Sequence, residues 1–153
     1  MTGKEKAAAD RRKRSAAGGG SMDYDWRFVR FLHLFNTERD YFECHEVMED
    51  LWMDDGRDPF WQGLLQVAVA LFHARNGNAG GAVKLMTAGL DKLSRRTGRA
   101  AGIDVPRLIT DGTRWLERLQ SGGAPPPFEP IAIRVTDPEL AQAVLTAGTR
   151  ETP

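Results

Sequence analysis

The 153-residue sequence lacks the features that would place it in a membrane or in an oxidising compartment. It has one cysteine, Cys44, which cannot form an internal disulfide. Its longest apolar run, Val67 to Phe72, is far shorter than the roughly 18 residues of a membrane span. The N-terminal region has no apolar stretch typical of a secretory signal. These absences predict a cytoplasmic protein without a membrane partner.

The sequence also lacks an excess of charge of either sign, with 21 Lys and Arg against 21 Asp and Glu. A net charge of zero gives no long-range field toward polyanions, so we expect no specific nucleic-acid partner. Hydrophobic residues make up 41% and charged residues 27% of the chain, which is typical of a globular protein with one core. The composition leaves a protein partner and self-association open.

The first 21 residues are predicted to form a disordered basic tail. They contain the run Arg11-Arg12-Lys13-Arg14, and after Met1 they have no apolar residue larger than alanine. Such a segment cannot bury enough apolar surface to offset the entropy lost on ordering. Met22 follows directly and is a second candidate for the start of translation.

Apolar residues recur at helical spacing through the rest of the chain, and capping residues divide it into segments. The predicted helices cover 24–36, 41–52, 59–76, 79–96 and 104–119, and a short one covers 137–148. Connections of about 3 to 8 residues favour antiparallel neighbours. The sequence therefore predicts an all-α fold, a compact bundle of about five antiparallel helices.

The helical domain is predicted to span residues 22–120, because nearly all the helical apolar stripes lie there. Residues 121–153 are predicted to form a proline-rich strap and a short C-terminal helix. We therefore expect that both flanking segments can be removed without loss of the core. Packing of Phe128 or Ile131 onto the bundle would make removal of the strap costly.

Polar residues interrupt two helix faces that ought to be buried. On the second predicted helix, His45 and Glu49 are i,i+4 neighbours whose side chains can meet. The third is apolar nearly all round, yet Gln62, Gln66 and His73 fall on one narrow line. An unsatisfied buried polar group costs about 1–3 kcal/mol. We therefore predict that these five residues form a polar seam between the two helices.

The polar seam has three interpretations. The first is a structural hydrogen-bond network that fixes the packing of the two helices. The second is a site for a divalent transition metal such as zinc, with His45, Glu49 and His73 as ligands. The third is a metal-free pocket for a small ligand or for acid–base chemistry, in which the catalytic residues are unknown.

A different class of function also fits the sequence, namely a non-catalytic helical scaffold or protein-interaction module. Gly77-Asn78 and the helix after it are spaced like one tetratricopeptide hairpin, although no second copy follows. One unit cannot build a solenoid. Whether the domain is an enzyme therefore stays open.

Several other residues carry expectations about packing. Trp52 ends the apolar stripe of the second helix and is expected to anchor the core. Cys44 lies on the same side and is expected to be a small buried residue rather than a nucleophile. His33 lies opposite the apolar side of the first helix and is expected to face solvent. Gly89, like Gly80 and Gly81, either loosens the fourth helix or permits close helix packing.

Several short motifs stand in a fixed order along the chain. They are Phe35-Asn36, the run Tyr41 to Trp52 with His45, Glu46 and Glu49, then Gln62-Gly63-Leu64-Leu65-Gln66, His73 and Gly77-Asn78. Over roughly residues 25–120 this set resembles the domain of unknown function 309 family. The resemblance implies a small all-α domain with Asn36, Trp52, Gly77 and Asn78 in its structural motif. It implies no reaction, because the family has no assigned activity.

Overall fold

The computed structural model describes residues 24–95, 101–124 and 126–150, so the predicted basic tail and Met22 lie outside the described residues. The α-helices in these ranges are α1 Trp26–His33, α2 Tyr41–Asp54, α3 Pro59–Arg75, α4 Ala79–Ser94, α5 Val105–Leu119 and α6 Pro138–Arg150. The same ranges contain no β-strand, and a single antiparallel bridge joins Ile103 to Val135. None of the described helices is long and apolar enough to cross a bilayer. The predicted all-α fold is confirmed, with six α-helices in the part of the chain that the structure describes.

Side-chain caps fix where the central helices begin. Asp40 accepts a hydrogen bond from the backbone N–H of Glu43 at the start of α2, and Asn78 accepts one from Gly81 at the start of α4. Each cap satisfies a donor that the first helical turn cannot pair. Gly77, with a φ of 83°, turns the chain left-handed after α3. The caps and the glycine keep the connections short, so α3 can pack against both α2 and α4.

The close contact between α3 and α4 depends on two glycines. A Cβ atom at Gly89 would lie 2.8 Å from the carbonyl oxygen of Gly63. A Cβ atom at Gly80, by contrast, would meet no atom within 4 Å. Of the two expectations for Gly89, close helix packing is therefore the correct one.

The strap, residues 126–137 of the described chain, packs with α6 into the same core as the other helices. Ile131 and Ile133 of the strap are 8% and 2% exposed, and Leu140 of α6 is 0% exposed. The Asn36 side chain donates to the carbonyl oxygen of Ile133 and accepts from its N–H, both at 2.8 Å. Asn36 can reach because it lies in a π-helical turn, Leu34–Glu38, that follows α1. This packing argues against the expectation that the segment after residue 120 can be removed.

The C-terminal helix α6 lies parallel to α1 and covers His33. At one end the Tyr24 hydroxyl donates to the carboxylate of Asp137. At the other end a Cβ atom on Gly148 would lie 2.7 Å from the imidazole of His33. His33 is only 9% exposed, and its Nε2 lies 2.7 Å from a carboxylate oxygen of Glu38. The expectation that His33 faces solvent is wrong, because a helix distant in sequence covers that side of α1.

The apolar side of α2 is buried as the sequence predicts, with one partial exception. Cys44 is 0% exposed, its thiol lies 3.8 Å from the carbonyl oxygen of Phe31, and burial raises the pKa of the thiol. Trp52 packs against the core but is only partly buried. The Arg57 guanidinium lies over its ring, 5.2 Å from the centroid. Trp52 therefore joins the core to the surface rather than lying wholly inside.

Candidate functional site

The His45–Glu49 pair predicted on α2 is formed. His45 Nε2 lies 2.9 Å from Oε2 of Glu49, and His45 Nδ1 lies 3.3 Å from Oε1 of Glu46. The His45 and Glu49 side chains are 34% and 46% exposed, so water reaches both. The pair is therefore partly exposed and not enclosed between the helices.

The α3 residues of the polar seam stay apart from this pair. Within the described ranges no hydrogen bond or ion pair joins Gln62, Gln66 or His73 to His45 or Glu49. The same part of the chain contains no group of three His, Cys, Asp or Glu side chains able to hold a metal ion. The structure therefore does not bring the three suggested metal ligands together.

His73 has a different neighbour. Its Nδ1 lies 3.4 Å from the side-chain amide of Asn78, just beyond the end of α3. The Asn78 side chain also caps α4. His73 therefore belongs to the turn between α3 and α4.

Three buried polar atoms on helices α2 and α3 have no hydrogen-bond partner among the described residues. They are the hydroxyl of Tyr41, the indole Nε1 of Trp52, a donor, and the side-chain Oε1 of Gln66, an acceptor. Each such group costs about 1–3 kcal/mol when unsatisfied. A water molecule that reached any one of these atoms would therefore be held favourably.

A buried arginine that the sequence analysis did not single out joins α1 to α2. Arg27 is 3% exposed and forms ion pairs with Asp25 at 2.9 Å, Asp50 at 2.7 Å and Asp54 at 3.1 Å. Burial disfavours its charged form, but hydrogen bonds to these carboxylates outweigh burial and raise the pKa of Arg27. Two of the partners lie a full helix away in sequence, so local spacing gives no signal for this network.

Helix α5 carries a line of charged residues on one face. Arg107, Asp111, Arg114 and Arg118 are spaced i, i+4, i+7 and i+11, which places them one above another. Asp104 fixes the start of the helix by accepting from the backbone N–H of Arg107 at 3.0 Å. The spacing is visible in the sequence, but a charged line is typical of any solvated helix face. Whether this line of charges forms a binding site depends on the residues that lie opposite it.

The strap brings a fourth arginine opposite this line. Along residues 131–135 the side chains alternate, with Ile131 and Ile133 buried and Arg134 exposed. The carbonyl oxygen of Arg134 accepts from the N–H of Asp104 at 2.9 Å. This alternation is typical of an extended segment, and the segment holds Arg134 beside the start of α5.

A groove of about 690 Å³ lies between α5 and the strap, and we call it the arginine groove. Its charged lining residues are Arg107, Asp111, Arg114, Arg118, Glu129 and Arg134. Four guanidinium groups against two carboxylates leave an excess of two positive charges in a chain whose formal net charge is zero.

Two of the four arginines in the groove are already paired. Arg107 lies 3.1 Å from Asp111, and Arg118 pairs with Glu129. Arg114 and Arg134 have no carboxylate partner in the ranges that the structure describes. The groove therefore presents two guanidinium groups to an anion.

Comparison with known proteins agrees with the motifs in the sequence. Residues 28–85 match the family described as Domain of unknown function (DUF309). The "Uncharacterized protein YpuF" of Bacillus subtilis (strain 168) is 33% identical over 125 residues, covering 78% of this chain and 70% of the relative. No solved structure matches the chain.

Proposed function

We propose that this helical domain, which belongs to the domain of unknown function 309 family, binds a small phosphate-bearing ligand in the arginine groove. The observation that supports the proposal is the pair Arg114 and Arg134. Both line one groove, and neither has a carboxylate partner in the described residues.

Phosphate is favoured over other anions by shape and by charge. A guanidinium group offers paired N–H donors in a plane, which match two oxygens of a phosphate. A phosphate monoester carries a charge of about −1.5 to −2 at pH 7. That charge balances the excess of two positive charges in the groove, whereas a single carboxylate would balance half of it. Trp115 and Ile131 line the same groove, and their apolar surface excludes some of the competing water.

The test is to titrate the protein with methyl phosphate and to follow the heat of binding. We expect Arg114→Gln combined with Arg134→Gln to weaken binding at least about tenfold, because two charge-assisted hydrogen-bonding groups are lost. Binding should also weaken as salt is added, and below about pH 6 as the phosphate takes up a proton. Arg95→Gln is the matched control, since Arg95 is 75% exposed and pairs with Asp91 away from the groove.

An equal loss of affinity in the Arg95→Gln control would show that binding is nonspecific charge attraction. Unchanged affinity in the Arg114→Gln, Arg134→Gln double variant would place the ligand elsewhere. A complete absence of phosphate binding would favour the alternative class, a helical scaffold that binds a protein partner.

The polar seam supplies a second candidate, a site for a small polar ligand at the α2–α3 contact. The unpartnered Oε1 of Gln66, a seam residue on α3, and the unpartnered Nε1 of Trp52 on α2 favour this candidate, because they offer an acceptor and a donor. The His45–Glu49 pair of the seam is partly open to water. The alternative to this candidate is a purely structural role for the seam.

A zinc ion at His45, Glu49 and His73 is a prediction that the geometry does not favour, because those side chains are not gathered into one group. Elemental analysis of protein purified without a histidine tag measures it directly. We expect less than about 0.1 metal ion per chain, since three firm ligands are the usual minimum for a zinc site. Stoichiometric zinc that disappears in His45→Ala would overturn this expectation and restore the metal interpretation.

A further inference from the structure

We infer that the ligand of the arginine groove is a phosphate monoester that also carries one aromatic ring, with the class of pyrimidine nucleoside monophosphates as its natural example. The inference rests on the proposed function and adds to it a second subsite. That subsite is a pocket of about 110 Å³ next to the groove, and we call it the ring pocket.

The ring pocket and the arginine groove are contiguous. Trp115, Arg118 and Glu129 line both of them. The indole Nε1 of Trp115 donates to the carbonyl oxygen of Glu129 at 3.1 Å, and the Arg118 guanidinium pairs with the carboxylate of the same glutamate. These three residues therefore form a shared wall, so one small molecule can occupy both spaces.

The chemistry of the ring pocket differs from that of the groove. Apart from the shared wall, its lining is made of small or apolar residues, and these are Ala74, Gly77, Ala79, Leu119, Pro126, Pro127 and Phe128. The ring pocket, at about 110 Å³, is smaller than an apolar cavity of about 150 Å³ that holds a benzene molecule, so it has room for one six-membered ring at most. The pocket therefore fits a ring recognised by its face and shape, and not by a pattern of hydrogen bonds at its edge.

The aromatic walls of the ring pocket are held in place by contacts with neighbouring residues. Phe128 packs edge-on against Tyr41, with the ring centroids 6.1 Å apart, and Tyr41 is fully buried. Trp115 is oriented by its bond to the Glu129 carbonyl. The opening is kept by small residues on the turn between α3 and α4, where Gly77 has a positive φ that disfavours a larger side chain. A preformed pocket loses little freedom on binding, which favours affinity.

The experiment compares ligands that differ only in the ring. Methyl phosphate and phenyl phosphate form one pair, and ribose 5-phosphate and uridine monophosphate form the other. We expect the ring-bearing member of each pair to bind at least about tenfold more tightly, through the apolar surface that it buries. The second pair tests a nucleotide, and the first tests the ring without the sugar.

The variant Ala79→Leu fills the ring pocket from α4. It should bring the affinity for phenyl phosphate down to that for methyl phosphate and leave methyl phosphate binding unchanged. Gly80→Leu is the matched control, because Gly80 is the next residue and a side chain there points into open space. Ala74→Leu fills the pocket from α3 and serves as the second variant if Ala79→Leu alters the fold.

The outcomes separate the inference from the proposed function. Equal binding of both members of each pair, lost on substituting Arg114 and Arg134, would overturn the ring pocket and leave the phosphate site standing. Tighter binding of phenyl phosphate that neither filling variant reduces would also overturn the ring pocket. Failure of every phosphate ligand to bind would overturn both. Much tighter binding of a single-stranded oligonucleotide than of the mononucleotide would replace a small-molecule site by a nucleic-acid surface.

Discussion

Ending the chain at residue 120 is expected to abolish its cooperative unfolding transition. The truncation removes three buried aliphatic side chains, Ile131, Ile133 and Leu140, from the core. Burial of each stabilises the fold by about 1.5–3 kcal/mol. The truncation also leaves both polar atoms of the Asn36 amide without their strap partners. The combined loss is comparable with the roughly 5–15 kcal/mol that stabilises a whole domain. Thermal unfolding followed by circular dichroism measures it.

A graded variant keeps this prediction measurable even where the truncated chain fails to fold. Ile133→Ala should lower the free energy of unfolding by about 2–5 kcal/mol, since Ile133 is 2% exposed. Leu145→Ala is the matched control on α6, where the side chain is 68% exposed, and it should cost less than about 0.5 kcal/mol. A truncated chain that unfolds at the same temperature as the full chain would mean that residues 22–120 fold alone, as the sequence predicts.

Replacing Arg27 by methionine is expected to cost about 3–5 kcal/mol, the usual loss when one partner of a buried ion pair is removed. The side chains of Asp25 and Asp54 are 6% and 4% exposed, so both carboxylates would be left in the interior without their cation. The size of the effect comes from these stranded charges and not from the lost attraction alone. Urea denaturation of the variant and the parent protein gives the difference directly.

Two further variants test that explanation. Asp50→Asn should cost less than about 1 kcal/mol, because the Asp50 side chain is 59% exposed and water can solvate it. Adding Asp54→Asn to Arg27→Met should recover part of the stability, because it removes one stranded charge. A loss below about 1 kcal/mol for Arg27→Met alone would show that solvent reaches the carboxylates and that the network is not buried.

Much of the fold is readable in the sequence because helix boundaries are local. Asp40 and Asn78 mark helix starts through hydrogen bonds to N–H groups three residues away, and Gly77 marks a helix end through its own φ. The apolar spacing between Tyr24 and Leu119 likewise defines which face of each helix is buried. Local spacing also placed His45 beside Glu49 on one helix.

The contacts of the polar seam residues could not be predicted from helical spacing alone. Helical spacing establishes that Gln62, Gln66 and His73 share a side of α3, but not which atoms of α2 they reach. The rotation and offset of two packed helices set those distances, and here the contact leaves the two sets unjoined. The partner of the motif residue Asn36 could not be predicted from local spacing either, because it is Ile133, 97 positions away.

Local sequence is enough to predict the helical class and, for the central helices, the boundaries, caps and buried faces, because each depends on neighbours within a few residues. Contacts between segments distant in the chain place the strap in the core, bury His33 and Arg27, and set Arg134 opposite the charged line of α5. A charged residue is a solvated surface group or part of a site according to the residues that pack beside it, and those neighbours depend on the packing of the whole chain.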